Sequence, residues 1–180
     1  MLRITIPPFE LFDSASNQFI QVKGQTLQLE HSLVSLSKWE AKWHKPFLSS
    51  EEKTTEEVLD YIRCMTITQN VDPQVYAGLT TSNMDEISAY INDSNTATWF
   101  KEERQTGRSR EVITSEVIYW WMISLNIPPE YQKWHLNRLL TLIRVCNEKN
   151  TPPKKMSRKE LARHNRSLNE ARKRALNTHG

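Results

Sequence analysis

Three Pro-Pro pairs, Pro7-Pro8, Pro128-Pro129 and Pro152-Pro153, limit what this 180-residue chain can build more than any other feature. Proline lacks a backbone N–H, fixes φ, and drives the residue before it out of the helical region, so neither a helix nor an inner strand runs through such a pair. The pairs mark off a short opening stretch, a long middle, a shorter stretch between Pro129 and Pro152, and a terminal segment. The chain has only 4 glycines, which argues against Gly-rich phosphate loops and against a turn-rich all-β fold.

Hydrophobic periodicity fills in the pieces. Leu2, Ile4 and Ile6 alternate with polar residues up to Pro7. The stretch "FIQVKGQTLQLEH" reads as a hairpin, Phe19 to Lys23 and Thr26 to Glu30, turning at Gly24. Ser37 and Glu40 have capping-box spacing for a short helix that carries Trp39 and Trp43 on one face and ends at Pro46. Thr54 and Glu57 repeat that spacing before the apolar stripe Val58, Tyr61, Ile62 and Met65. Pro73 suits a helix first turn with Gly78 as its stop. Met84, Ile87, Tyr90 and Ile91 are spaced for another helix. Residues 101–110 are polar and read as an exposed loop. The spacing then predicts a helix from near Ser109 to about Leu125, apolar nearly all round and so central in the core. After Pro128-Pro129 a last body helix turns Trp134, Leu136, Leu139, Leu140, Ile143 and Cys146 inward. Beyond Pro152-Pro153, Ser157 and Glu160 open a helix over about 157–176, with Leu161, Leu168 and Ala175 spaced by seven. The expected fold is α+β and mainly α-helical. It has a short N-terminal β-hairpin or sheet over 1–35, a helical bundle over 36–150, and a Pro-Pro linker with a basic C-terminal helix over 151–180.

Charge is unevenly placed. Residues 151–180 hold nine Lys/Arg and two Asp/Glu, while residues 1–150 hold fifteen and nineteen. An acidic body with a basic end suggests an interaction tail, or a tail that folds back on the body. The start "MLRITIPPFELF" lacks the pattern of a signal peptide. The longest apolar run, "VITSEVIYWWMISLNI", contains Glu116 and is short of the roughly 20 apolar residues that a membrane span needs. The 2 cysteines, Cys64 and Cys146, lie in apolar periodic segments and read as buried thiols of a reducing compartment.

Catalytic and metal signatures are not legible. No two of the 5 histidines stand three to five residues apart, so no zinc spacing is present. No Gly-x-Ser-x-Gly elbow occurs. The carboxylate runs Glu51-Glu52 and Glu56-Glu57 suit helix N-termini rather than an acid–base pair. His135 and Arg138 sit three apart as a small helix-surface patch. The expectation is therefore no enzyme and no cofactor. Trp39, Trp43, Trp120 and Trp121 are expected in the core, with binding hot spots as the alternative. The basic tail has no aromatic residue for stacking single-stranded nucleic acid. Its thin apolar seam suits docking on an acidic protein partner better than binding to nucleic acid, and the second option stays open.

Four blocks, "LQLEHSLVSLSKWEAKWHKPFL", "EKTTEEVLDYIRCMTI", "EVITSEVIYWWMISLNIP" and "QKWHLNRLLTLIRVCNEKNTPPKKMSR", resemble a family of small tailed-phage proteins assigned as tail assembly chaperones. The resemblance runs from about residue 26 to the end. It implies a non-enzymatic protein of the host cytoplasm, absent from the finished virion. Such a protein binds the long helical tape measure protein, keeps it soluble, and yields it as tail tube subunits polymerise. It implies no catalytic residue, no cofactor and no membrane. Many members of that family are made in two forms by ribosomal frameshifting. On that reading Trp39, Trp43 and Trp134 line a groove for the client helix. Arg163, Arg166, Arg172, Lys173 and Arg174, with Leu168 on the seam, steer an acidic client or the tube protein. The alternative functions are a nucleic-acid-binding protein acting through the tail, or a structural virion protein.

Overall fold

The computed structural model describes residues 1–13, 17–100, 112–151 and 157–177. The expected loop at 101–110 lies outside them, as do residues 152–156 of the Pro-Pro linker. Four strands come first: β1 (Leu2–Ile6), β2 (Phe9–Asp13), β3 (Gln18–Val22) and β4 (Gln25–Leu29). Among the described residues six helices follow: α1 (Leu33–Trp43), α2 (Thr55–Met65), α3 (Thr81–Asn92), α4 (Ser115–Ser124), α5 (Leu136–Asn150) and α6 (Arg158–Leu176). Short 3-10 turns occupy Pro73–Gly78 and Pro129–Lys133. The chain is α+β and mainly helical. It divides into two compact units, Met1–Asn147 and Glu148–Gly180.

The strands do not pair as the turn at Gly24 suggests. β1 pairs antiparallel with β4, and β2 with β3. The register carries through both ladders: Ile6 faces Gln25, and Phe9, three residues on, faces Val22, three residues back. The four strands therefore form one long ribbon, interrupted where Pro7-Pro8 stands across from Lys23-Gly24. Two prolines without N–H groups cannot continue the ladder there. Gly24 is needed at this break because a Cβ would lie 2.7 Å from both Ile6 O and Pro8 N, which are backbone atoms that cannot swing aside. Gly24→Ala is expected to lose about 1–3 kcal/mol by overpacking, measured as a lower urea midpoint at unchanged m-value. A methyl at Gly78 would likewise run into the Phe9 ring and Ile6. Past α2 the chain lies along β4, with Glu30 N–H donating to Met65 O at 2.9 Å and Ile67 N–H to Gln28 O at 2.8 Å.

Two of the predicted capping boxes form, at Thr54/Glu57 and Ser157/Glu160. The one at Ser37/Glu40 does not. α1 starts at Leu33, capped by Ser32, and Ser35 rather than a Glu returns the bond to the cap. Glu40 instead points into the protein, 7% exposed. Its two oxygens accept Phe47 N–H at 2.9 Å and Ser115 N–H at 2.7 Å. The second bond matters because Thr114, the residue that precedes α4, makes no side-chain cap of its own. A carboxylate on α1 thus caps α4 in trans, the charge sign that a helix N-terminus favours. α4 begins at Ser115, later than its expected start near Ser109, and Ser109 itself lies outside the described residues.

Two apolar clusters make the core. One joins the ribbon (Ile4, Ile6, Leu27, Leu29) to Trp39 of α1, to Tyr61, Ile62 and Met65 of α2, and to Ile87 of α3. The other joins Leu33 and Leu36 of α1 to Ile118 and Met122 of α4 and to Leu136, Leu139 and Ile143 of α5. α1 supplies both.

Candidate partner-binding surfaces

α6 is built for exposure. Ser157 Oγ accepts Glu160 N–H at 3.2 Å, and Glu160 Oε2 accepts Ser157 N–H at 2.9 Å. That bond to the Ser157 amide holds the Glu160 carboxyl below its ordinary range. At the other end Asn177 takes a left-handed conformation, φ 50°, and its N–H caps the Arg174 and Lys173 carbonyls. Between the caps no residue of the helix is buried. Leu161 is 47% exposed, Leu168 41% and Leu176 72%. Arg163, Arg166, Arg172, Lys173 and Arg174 are all exposed on the same helix. With Arg158 and Lys159 they make seven cations against two glutamates. A 19-residue helix with an apolar seam and no buried residue gains little from tertiary packing.

Of the three tryptophans expected to line a groove, Trp39 is buried, while Trp43 and Trp134 are half-buried. Trp39 is 1% exposed, and its indole N–H donates to Glu57 O at 2.8 Å. Trp43 stacks on Trp39 with ring centroids 6.1 Å apart and donates to Asp60 Oδ2 at 2.9 Å. Both therefore belong to the α1–α2 seam, where a client helix cannot reach Trp39. Trp134 is half-buried at the foot of α5, stacked on Tyr131 at 4.1 Å, with the Arg138 guanidinium 4.0 Å over its ring. His135, expected beside Arg138 on the surface, is buried: Nε2 lies 3.0 Å from Tyr90 O, and the ring meets His31 edge-on.

The apolar surface is elsewhere. Trp120 is 63% and Ile123 75% exposed on α4, so α4 is not a fully enclosed core helix. Glu116 and Ser124 lie on the same exposed side at helical spacing. That polar pair was the one available sign that this face of an otherwise apolar helix turns outward. Phe12 and Phe19 form a second exposed pair on the ribbon, with centroids 5.2 Å apart.

Two carboxylates of unit one are held by ion pairs and hydrogen bonds. Glu57 accepts from Lys45, and Asp60 from Lys42 and Trp43. Burial pushes Asp60 up, yet the Lys42 and Trp43 bonds hold it below its ordinary value. Cys64 and Cys146 are free and half-buried rather than fully buried. Burial, and then the Asp60 charge, push the Cys64 thiol up, away from the reactive thiolate. Among the described residues no group of three His, Cys, Asp or Glu could hold a metal ion, and no helix is long and apolar enough to cross a membrane. Comparison with protein-family models, with curated proteins and with solved structures finds no match.

Proposed function

We propose that this protein is a non-enzymatic assembly factor that holds a helical partner through α6. In line with the sequence resemblance, we read it as a phage tail assembly chaperone. Its client is then the tape measure protein, bound in the host cytoplasm and released to the tail tube. The observation that carries the reading is α6 itself, a doubly capped basic helix with an exposed Leu161–Leu168 seam. A chaperone for a long amphipathic rod needs an accessible apolar strip to shield the client and charge to select it. It needs no active site.

The test is co-expression of the tagged full chain with the neighbouring phage structural genes. Capture and solubilisation of the tape measure protein supports the reading. Leu161→Ser with Leu168→Ser is expected to reduce capture more than tenfold, about 1.4 kcal/mol or more. The melting temperature is expected to stay unchanged, because neither leucine is buried. The second reading is nucleic-acid binding, favoured by the seven cations of α6. It predicts binding that falls steeply with salt and is indifferent to the leucine substitutions.

A further inference from the structure

Lys38 and Lys42 of α1, and Lys45 just past its end, face α2 at intervals of four and three residues. α2 presents Glu57, Asp60 and Cys64 at intervals of three and four. Two rungs of this ladder are closed: Lys45 Nζ lies 2.6 Å from Glu57 Oε1, and Lys42 Nζ lies 2.5 Å from Asp60 Oδ1. On the third rung Lys38 meets Cys64, where the pattern would place a carboxylate. A groove of about 390 Å³ opens at that rung; Val34, Lys38, Cys64, Met65, Ile67 and Lys133 are among its lining residues, with Glu30, Ser32, Ser35 and Thr66 as further polar ones. Lys133 comes from the 3-10 turn before α5 and supplies a second cation. Neither lysine has an ionic partner among the described residues. A mainly apolar cleft of this size with a few placed polar groups is the usual form of a ligand site.

We propose that this groove docks an acidic peptide segment of a partner protein. One Asp or Glu side chain takes the vacant carboxylate position opposite Lys38. A second acidic side chain reaches Lys133, and an apolar side chain lies against Val34, Met65 and Ile67. A peptide fits better than a small free anion for two reasons. The cleft is open, with Ile67 53% exposed and both lysines on the surface, and its apolar wall demands carbon next to the charge. Nucleic acid fits worse. No aromatic ring lines the cleft for a base, while Glu30, which borders it, weighs equally on either anion. Glu30 is tolerable to an acidic peptide because the Met1 amino group stands 3.1 Å from it and the Tyr90 hydroxyl donates to it. The site belongs wholly to the first unit and does not depend on the role given to α6.

The probe is the peptide acetyl-Leu-Glu-Glu-Leu-amide, fluorescently labelled for titration against the full chain, with the Gln-Gln peptide and inorganic phosphate as comparisons. Unlabelled peptide is also tested for protection of Cys64 from N-ethylmaleimide, read site by site in a mass spectrum with Cys146 as reference. Glu-dependent binding is expected, with Cys64 protected several-fold and Cys146 not. Lys38→Ser and Lys133→Ser are each expected to weaken binding about tenfold, the loss of one charge-assisted contact. Cys64→Glu places a carboxylate on the third rung, and is expected to abolish binding with the melting temperature kept or raised. Three results would overturn the proposal. The first is no Glu-dependent binding at millimolar peptide. The second is equal protection by phosphate or by the Gln-Gln peptide. The third is binding unchanged by both Lys38→Ser and Cys64→Glu, or displaced by an RNA oligonucleotide.

Discussion

Replacing Glu40 by alanine is expected to destabilise the protein by about 3 kcal/mol, the scale for orphaning buried groups bonded to a charge. One carboxylate accepts the N–H of Phe47 and of Ser115, 75 residues apart in sequence from Glu40 in the second case. Ser115 is fully buried, so water cannot replace the lost acceptor. The first turn of α4 then keeps its unpaired amides with no cap from Thr114. Glu40→Gln should recover only part of the loss, because its amide end offers a donor to a donor. Equilibrium urea unfolding of the three proteins measures this directly. A loss under about 0.5 kcal/mol for alanine, the scale of an ordinary surface change, would show that the trans cap is not holding α4.

Acid should act in two stages, and the first belongs to His31. Its Nδ1 lies 2.6 Å from the Tyr61 hydroxyl, and the residue is 2% exposed. Burial, and then the neighbouring His135 imidazole, lower the His31 pKa from 6.5 to about 4. The unfolded chain therefore takes up this proton at a higher pH than the folded one. Stability is complete above about pH 6.5 and falls as pH drops toward 4, by about 3 kcal/mol for a gap of that size. The second stage lies lower. Glu57 is held below its ordinary value by Lys45 and by the Thr54 amide, and Asp60 by the bonds that offset its burial. Their contribution is present above the unfolded carboxylate range and is lost as pH falls through and below about 4. Denaturation midpoints from pH 8 to 3 should show both steps. His31→Gln, which keeps a polar end for the Tyr61 hydroxyl but cannot titrate, should flatten the first step and leave the second. A single step confined below pH 4 would contradict the assignment.

The helices were largely legible in the sequence because their signals are local. Thr54/Glu57 and Ser157/Glu160 are self-contained caps, and the stripe Tyr61, Ile62, Met65 needs only the period of the helix. Ser32/Ser35 was missed because a serine at the third position closes the box as well as a glutamate does, but with no charge to flag it. The ribbon was misread because Gly24 looks like a turn to its neighbours. The partner of β4 is β1, 19 to 27 residues away along the paired positions, and local pattern carries no record of that pairing. Among the expected site residues, Arg163, Arg166, Leu168, Arg172, Lys173 and Arg174 are marked by charge and spacing, and all are exposed. Trp39 and Trp43 could not be placed that way. The same large indole suits a contact surface and a core, and only the Glu57 and Asp60 acceptors decide it. The vacant rung beside Lys38 was invisible for a similar reason, since it depends on which residues of α2 stand opposite α1.

That α1 furnishes Trp39 to one cluster and Leu33 and Leu36 to the other has a consequence for how the first unit comes apart. Neither cluster can melt while α1 stays whole on its behalf alone, so subglobal opening of one side is suppressed. Calorimetry should find the van't Hoff and calorimetric enthalpies of residues 1–147 in agreement, as for a single cooperative transition. In native-state hydrogen exchange the amides in the middle of α1 should be the last to trade, opening only with global unfolding. The amides of α6 should exchange early, on the timescale of a fraying helix.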